Sequence, residues 1–173
     1  MRFLLVLFLS FFTVAIAAPS GKAADVSKRQ ILELRPFWRA YHQTLYDHLY
    51  TTEFSEYRNA IDNLGYVPEN IACRIYRSLV PQSVPLYRLF HSDHVDHFYT
   101  TSAPERDNAI NVLGYSDEGI AGYVYTEPCN HAVPLYRAFD PTLVDHFYTL
   151  DAAERDNAVK NGYVDEGIAA YVY

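Results

Sequence analysis

Three histidines and two aspartates crowd into the seven residues from His91 to His97. His91, His94 and His97, spaced three apart, are of the type that gathers a zinc ion, with Asp93 or Asp96 as a fourth ligand. An aspartate beside a histidine is equally the raw material of acid/base catalysis. Internal copies of the stretch separate these chemistries.

The chain contains one unit three times, over residues 36–76, 85–125 and 134–173, with starts 49 residues apart. In register, Asp96-His97 recurs as Asp47-His48 and as Asp145-His146, each followed by one apolar residue and then Tyr-Thr. His91 and His94 do not recur as a pair: the first copy has His42 and Leu45, the third Asp140 and Leu143. The three-histidine cluster therefore belongs to one loop. Nothing in the sequence supplies the second shell that a ligating histidine needs, so no metal and no cofactor is expected. Nor is an enzyme expected, because the chain has no GxSxG or HExxH and a small domain rarely builds one active site three times.

The repeated Asp-His pair has two readings. Either each aspartate serves its own turn, or the pair lines a small pocket in each unit, with the following tyrosine as a ring on which a sugar stacks. The candidate ligand-binding residues are Asp96, His97, Tyr99, Asp145, His146 and Tyr148, with Asp47 and His48 in the more divergent first copy.

The elements that position them follow from the same register. "PLYRLF" and "DHFYT" are aromatic-rich runs of alternating character joined by a polar stretch, which predicts a β-hairpin. Ser102 with Glu105, and Asp151 with Glu154, have the spacing of capping boxes and open helices that stop at Gly114 and Gly162. After each glycine, Asp117-Glu118-Gly119 and its counterpart predict a turn into a further strand. Each unit thus reads β, β, short helix, β, β. The fold class expected is β-rich α+β, with three tandem repeats closed about a pseudo-threefold axis, β-trefoil-like but with a short helix in each repeat. Arg39, Arg88 and Arg137, on strands between aromatics, should pair with Glu69, Glu118 and Glu166.

The ends and composition bound the function. Arg2, an apolar run and the small residues Ala15 and Ala17 read as a signal peptide over residues 1–17, so a secreted, extracellular protein is expected. Residues 18–29, ending in Lys28-Arg29, are a candidate pro-segment or linker, and residues 30–173 a single three-repeat domain. Taking residues 1–29 from the formal charge of −7 removes four basic residues and one acidic one and leaves −10. That charge argues against nucleic-acid and membrane partners. In an oxidising compartment Cys73 and Cys129 are expected to form one disulfide.

The string "PLYRLF…DHFYTTS…ERDNAI…GYSDEGIAGYVY" resembles an uncharacterised repeat family of secreted fungal and bacterial proteins, in bacteria often found beside cell-wall hydrolase modules. The resemblance runs from Pro36 to Tyr173 and implies binding to a glycan or cell-wall polysaccharide. The expected function is a lectin-like, multivalent, non-enzymatic module. A protein target met by the non-repeated loops, or a structural role in a wall, are the alternatives.

Overall fold

A computed structural model describes residues 33–129 and 131–173, which form nine strands and three helices. The signal peptide and pro-segment expected over residues 1–29 lie outside the described residues. The first unit comprises β1 (Leu34–His42), β2 (Asp47–Thr51), α1 (Phe54–Asn63) and β3 (Val67–Tyr76). The second comprises β4 (Val84–His91), β5 (Asp96–Thr100), α2 (Ala103–Asn111) and β6 (Ser116–Val124). The third comprises β7 (Val133–Asp140), β8 (Asp145–Thr149), α3 (Ala152–Lys160) and β9 (Val164–Val172). Strand order is β2-β1-β3-β6-β4-β5 in a six-stranded sheet and β8-β7-β9 in a three-stranded one.

Each unit therefore has three strands, not the four of a β-trefoil. The segment after the helix is one strand carrying a bulge, not a turn followed by a strand. At the bulge Gly119 and Gly167 take φ of +89° and +82°, and their amides bond to the carboxylates of Asp117 and Asp165 at 2.8 and 2.9 Å. The aspartate that suggested a turn instead accommodates an extra residue within the ladder, which is what a glycine bulge does.

The helices also depart from expectation in an informative way. Ser102 caps α2 by accepting from the Glu105 amide, and Asp151 caps α3 through Ala153. The glutamates do not close the capping boxes. The N-cap amides of Glu53, Ser102 and Asp151 are instead taken by the hydroxyls of Thr51, Thr100 and Thr149, each at 3.0 Å. That frees Glu56, Glu105 and Glu154 for other partners.

The units are joined where their last strands meet. Tyr76 pairs with Tyr123, Tyr125 with Tyr171, and Tyr173 exchanges backbone hydrogen bonds with Arg74. Beneath these contacts, Phe37, Tyr50, Ile75, Leu86, Tyr99, Val124, Leu135, Tyr148 and Val172 form one core shared by all three units. Cys73 and Cys129 are free thiols rather than a disulfide. Cys73 lies inside that shared core, where burial pushes its thiol pKa up. Cys129 sits in the segment after β6, packs with the Tyr76 and Tyr125 cluster, and donates to Gln82 at 3.3 Å.

One pair of core positions is volume-compensated. Cys73, Gly122 and Ala170 hold equivalent register positions opposite Phe37, Leu86 and Leu135. Two residues on, the larger Ile75 stands where the other units have Val124 and Val172. A Cβ on Gly122 would lie 2.5 Å from the Ile75 Cδ1 and 2.8 Å from the Tyr76 carbonyl oxygen. Gly122→Ala is expected to cost about 1–3 kcal/mol in chemical denaturation despite alanine at position 170. Adding Ile75→Val should recover part of that loss, and simple additivity of the two changes would contradict the assignment.

Candidate functional site at the seams between units

The middle of the molecule is held by three tyrosines, each serving the backbone of another unit. The Tyr99 hydroxyl accepts the Tyr50 amide at 2.9 Å and donates to the Tyr50 carbonyl at 2.6 Å. Tyr148 does the same for Tyr99, at 2.9 and 2.7 Å. Tyr50 does it for Tyr148, at 2.8 Å both ways. All three side chains are at most 1% exposed, and burial pushes their phenol pKa values up.

The Asp-His pairs also reach across units. Residues Tyr46, Val95 and Val144 turn the chain with φ of 57°, 55° and 57° immediately before each aspartate. A left-handed conformation in a β-branched residue is strained, by roughly 1–2 kcal/mol, and persists because the surroundings over-determine it. Each aspartate is thereby delivered into the interior, wholly buried. Asp47 accepts from the His97 amide at 2.8 Å and from His97 Nδ1 at 2.7 Å. Asp96 accepts equivalently from His146 at 2.9 and 2.7 Å. Asp145 accepts from His48, with its amide at 3.1 Å and Nδ1 at 2.8 Å. The hydroxyls of Tyr66, Tyr115 and Tyr163 donate to Asp47, Asp96 and Asp145 from within the same unit. Since an ionised carboxylate only accepts, Nδ1 of each imidazole carries its proton.

The imidazoles are enclosed as well. His48 lies between Tyr41 of its own unit and Phe147 of the third, with centroids at 4.4 and 5.0 Å. His146 lies between Phe139 and Phe98, both at 4.5 Å. His97 has Phe90 at 4.7 Å, while Leu49 occupies the position where the other seams have a phenylalanine.

The arginines complete each seam. Arg88 bonds through both Nη atoms to Glu56 of the preceding unit at 2.9 Å and meets Glu118 of its own unit through Nε at 2.8 Å. Arg137 joins Glu105 and Glu166 in the same way, and Arg39 joins Glu154 and Glu69. The expected own-unit pairs are thus present. The forked bonds, however, go to the helix glutamates freed from the capping boxes. Arg39 and Arg137 also lie 5.3 Å over Phe147 and Phe98.

Of the eight residues expected to bind ligand, the structure brings together Asp47, His48, Asp96, His97, Asp145 and His146 as inter-unit pairs. It places Tyr99 and Tyr148 in the core. The aspartates and tyrosines have no surface for a sugar to reach. His146 lines a cleft between the second and third units. His91, His94 and His97 do not converge: His91 Nδ1 accepts the His94 amide at 3.4 Å as a turn cap, and His97 is committed to Asp47. His42 and Asp140 cap the corresponding turns, the latter through the Thr142 and Leu143 amides. Among the described residues, the group with metal-ligand spacing is Asp47, Asp96 and Asp145, with one oxygen of each within 4.8 Å of the others. Their oxygens already accept backbone, imidazole and phenol protons, so the cluster is satisfied by protein donors.

Sequence reasoning did not identify two clefts that open beside the Glu–Arg–Glu trios. One, of about 180 Å³, lies between the first and second units and is lined by Thr51, Thr52, Glu53, Glu56, Arg88 and Glu118. The other, of about 230 Å³, lies between the second and third and is walled by Phe98, Tyr115, Phe139, His146, Glu105 and Glu166. No sequence signal marked them, because each is built from two units.

Two stability outcomes follow. Tyr99→Phe strands the buried Tyr50 amide and carbonyl and should cost on the order of 3 kcal/mol in denaturant unfolding; a loss within error of zero would contradict the tyrosine ties. Burial opposes the charge on Asp96, Glu56, Glu105 and Glu154. Hydrogen bonds from His146 to Asp96, and from Arg88, Arg137 and Arg39 to the glutamates, outweigh it and hold all four below their usual range. A lowered folded-state pKa contributes stability that is present above the unfolded value and lost as pH falls through the folded one. The transition temperature should therefore be sustained down to about pH 4 and fall below it.

A family model for a domain of unknown function, DUF5648, matches residues 36–173. No curated protein and no solved structure matches the chain. Over the whole three-unit body, from Pro36 to Tyr173, the chain belongs to the DUF5648 family.

Proposed function

We propose that this is a secreted, non-enzymatic glycan-binding module, with its three units closed about a pseudo-threefold axis and its ligand sites in the seams between them. The observation that carries the reading is the pair of clefts beside equivalent Glu–Arg–Glu trios. One is edged by threonines and carboxylates, the other by two phenylalanine rings, a tyrosine and carboxylates. Rigid polar groups beside an aromatic wall suit a sugar, which offers hydroxyls at its rim and C–H groups on its face. At about 180 and 230 Å³ the clefts suit one ring each. Weak single-ring sites on one rigid body gain strength on a repetitive surface such as a cell-wall polysaccharide.

The reading is non-catalytic because each Asp-His pair is committed to holding two units together, so none of the three is a free acid/base dyad. Secretion rests on the N-terminal basic, apolar and small-residue pattern. No helix among the described residues is long and apolar enough to cross a membrane, and the −10 charge of residues 30–173 disfavours nucleic acid and anionic lipid.

The test is a glycan array beside insoluble chitin, β-glucan and peptidoglycan. Wild type should be compared with Ile120→Trp and Asn108→Trp, which fill the two clefts from exposed positions. Each single change should weaken a specific hit and the double change abolish it, with circular dichroism unchanged. A folded protein that binds no glycan, or binding indifferent to the double change, would contradict the proposal.

A further inference from the structure

We infer that the cleft between the second and third units takes a sugar carrying an acetamido group, an N-acetylhexosamine, whose N–H is met by the outward ring nitrogen of His146. That ligand class narrows the glycan reading above, on which it rests. His146 is only 8% exposed and lines the cleft. Its Nδ1 bonds to Asp96 at 2.7 Å in the interior, and Nε2, on the opposite edge of the ring, has no hydrogen bond or ion pair among the described residues. In the other two seams the same nitrogen lies 3.8 and 3.9 Å from an own-unit carboxylate, that of Glu69 and that of Glu118. With the proton on Nδ1, Nε2 of the neutral ring is an acceptor. A ligand N–H that meets it leaves the Asp96 bond untouched, so the tie between units is kept.

The rest of the lining matches the other parts of an acetamido group. Asn108 lies exposed at the cleft, and its side-chain amide makes no hydrogen bond among the described residues. Its counterpart in the first seam, Asn59, is instead engaged by Asn63 at 2.9 Å. The free Asn108 amide can donate to the acetyl carbonyl. Phe98, Phe139, Ala109 and Leu113 offer an apolar wall to the acetyl methyl and to the C–H face of the ring. In the first seam Leu49 stands in place of Phe98. The carboxylates of the cleft, Glu105 and Glu166, are both gripped by Arg137, so their charge is answered largely within the protein. A hexose with hydroxyls alone would serve Nε2 but leave Ala109 and Leu113 uncovered. A free ammonium group would bring a charge to carboxylates already paired and no acceptor to Asn108.

The experiment is titration calorimetry of the purified protein at neutral pH with tetramers of N-acetylglucosamine, glucosamine and glucose, repeated with Asn108→Asp. Asn108 is exposed, so this variant keeps the fold and loses only the amide donors. The acetylated tetramer should bind about tenfold tighter than the other two, and Asn108→Asp should weaken it about tenfold. Long-range nitrogen–proton NMR of the wild-type rings reads the contact without any substitution. Adding the acetylated tetramer should move the Nε2 resonance of His146 and leave those of His48 and His97 in place. Equal or tighter binding of the glucose or glucosamine tetramer overturns the acetamido inference and leaves the glycan reading standing. Acetylated binding that leaves His146 Nε2 unmoved, or that ignores Asn108→Asp, also overturns it. Binding by none of the three overturns it too, and a blank glycan array would then remove the glycan reading as well.

Discussion

A backbone amide and carbonyl of one unit, bonded to the phenol of another, is the constraint on which the rest of this structure depends. Strands β2, β5 and β8 are each paired along one edge only, with β1, β4 and β7. The other edge faces the interior, where an unpaired amide is costly and an open strand edge is a liability. Side chains close it. Along β5, the His97 amide goes to Asp47 of the first unit and the Tyr99 amide to Tyr148 of the third. Every second amide of the edge is thus taken by a residue from a different neighbour. This is the physical reason that each unit manages with three strands: a fourth would occupy the edge that the side chains already satisfy.

The same logic accounts for the polar content of the interior. Three aspartates meet within a few ångströms in a buried space, an arrangement that would repel itself apart without compensation. Each is met by an amide, an imidazole N–H and a phenol, so no member of the network is left half satisfied. Around this centre the arginines form an outer layer of ties, each gripping a helix of the preceding unit. The ties run from the second unit to the first, from the third to the second and from the first to the third. Partial exposure of the glutamates makes each such pair modest alone. Their value lies in fixing which units are neighbours and at what register, and in leaving clefts along the seams.

Much of this was legible in the residues, but only within a unit. The three-copy register, the hairpins, the helices, the pairing of Arg88 with Glu118 and the confinement of the three-histidine cluster to one polar loop all depend on neighbours a few positions away or on one unit's own sheet. What could not be read was the partner across a seam. Asp96 and His97 are adjacent in sequence, which invites a dyad, yet Asp96 serves His146 and His97 serves Asp47, about one repeat away in each direction. Glu105 has the spacing of a capping box, and only the approach of Arg137 from the next unit shows why it abandons that role. The missing disulfide has the same origin, since Cys73 follows the core-facing register of its strand. The alternating character read into "DHLYT" and its copies is not what the strands show. Five consecutive buried residues imply neighbours on both faces and at the edge.

The claim that most needs testing is that the repeated Asp-His pairs tie units together and are not a ligand pocket. Long-range nitrogen–proton NMR correlation of the histidine side chains reads it directly, because it reports which ring nitrogen holds the proton and whether that proton is shielded from exchange. The account predicts that His48, His97 and His146 carry protected Nδ1 protons, with His42 and His91 in the opposite tautomer because their Nδ1 atoms accept backbone amides. Rapidly exchanging rings at positions 48, 97 and 146, or protons resting on Nε2 with Nδ1 free, would contradict it.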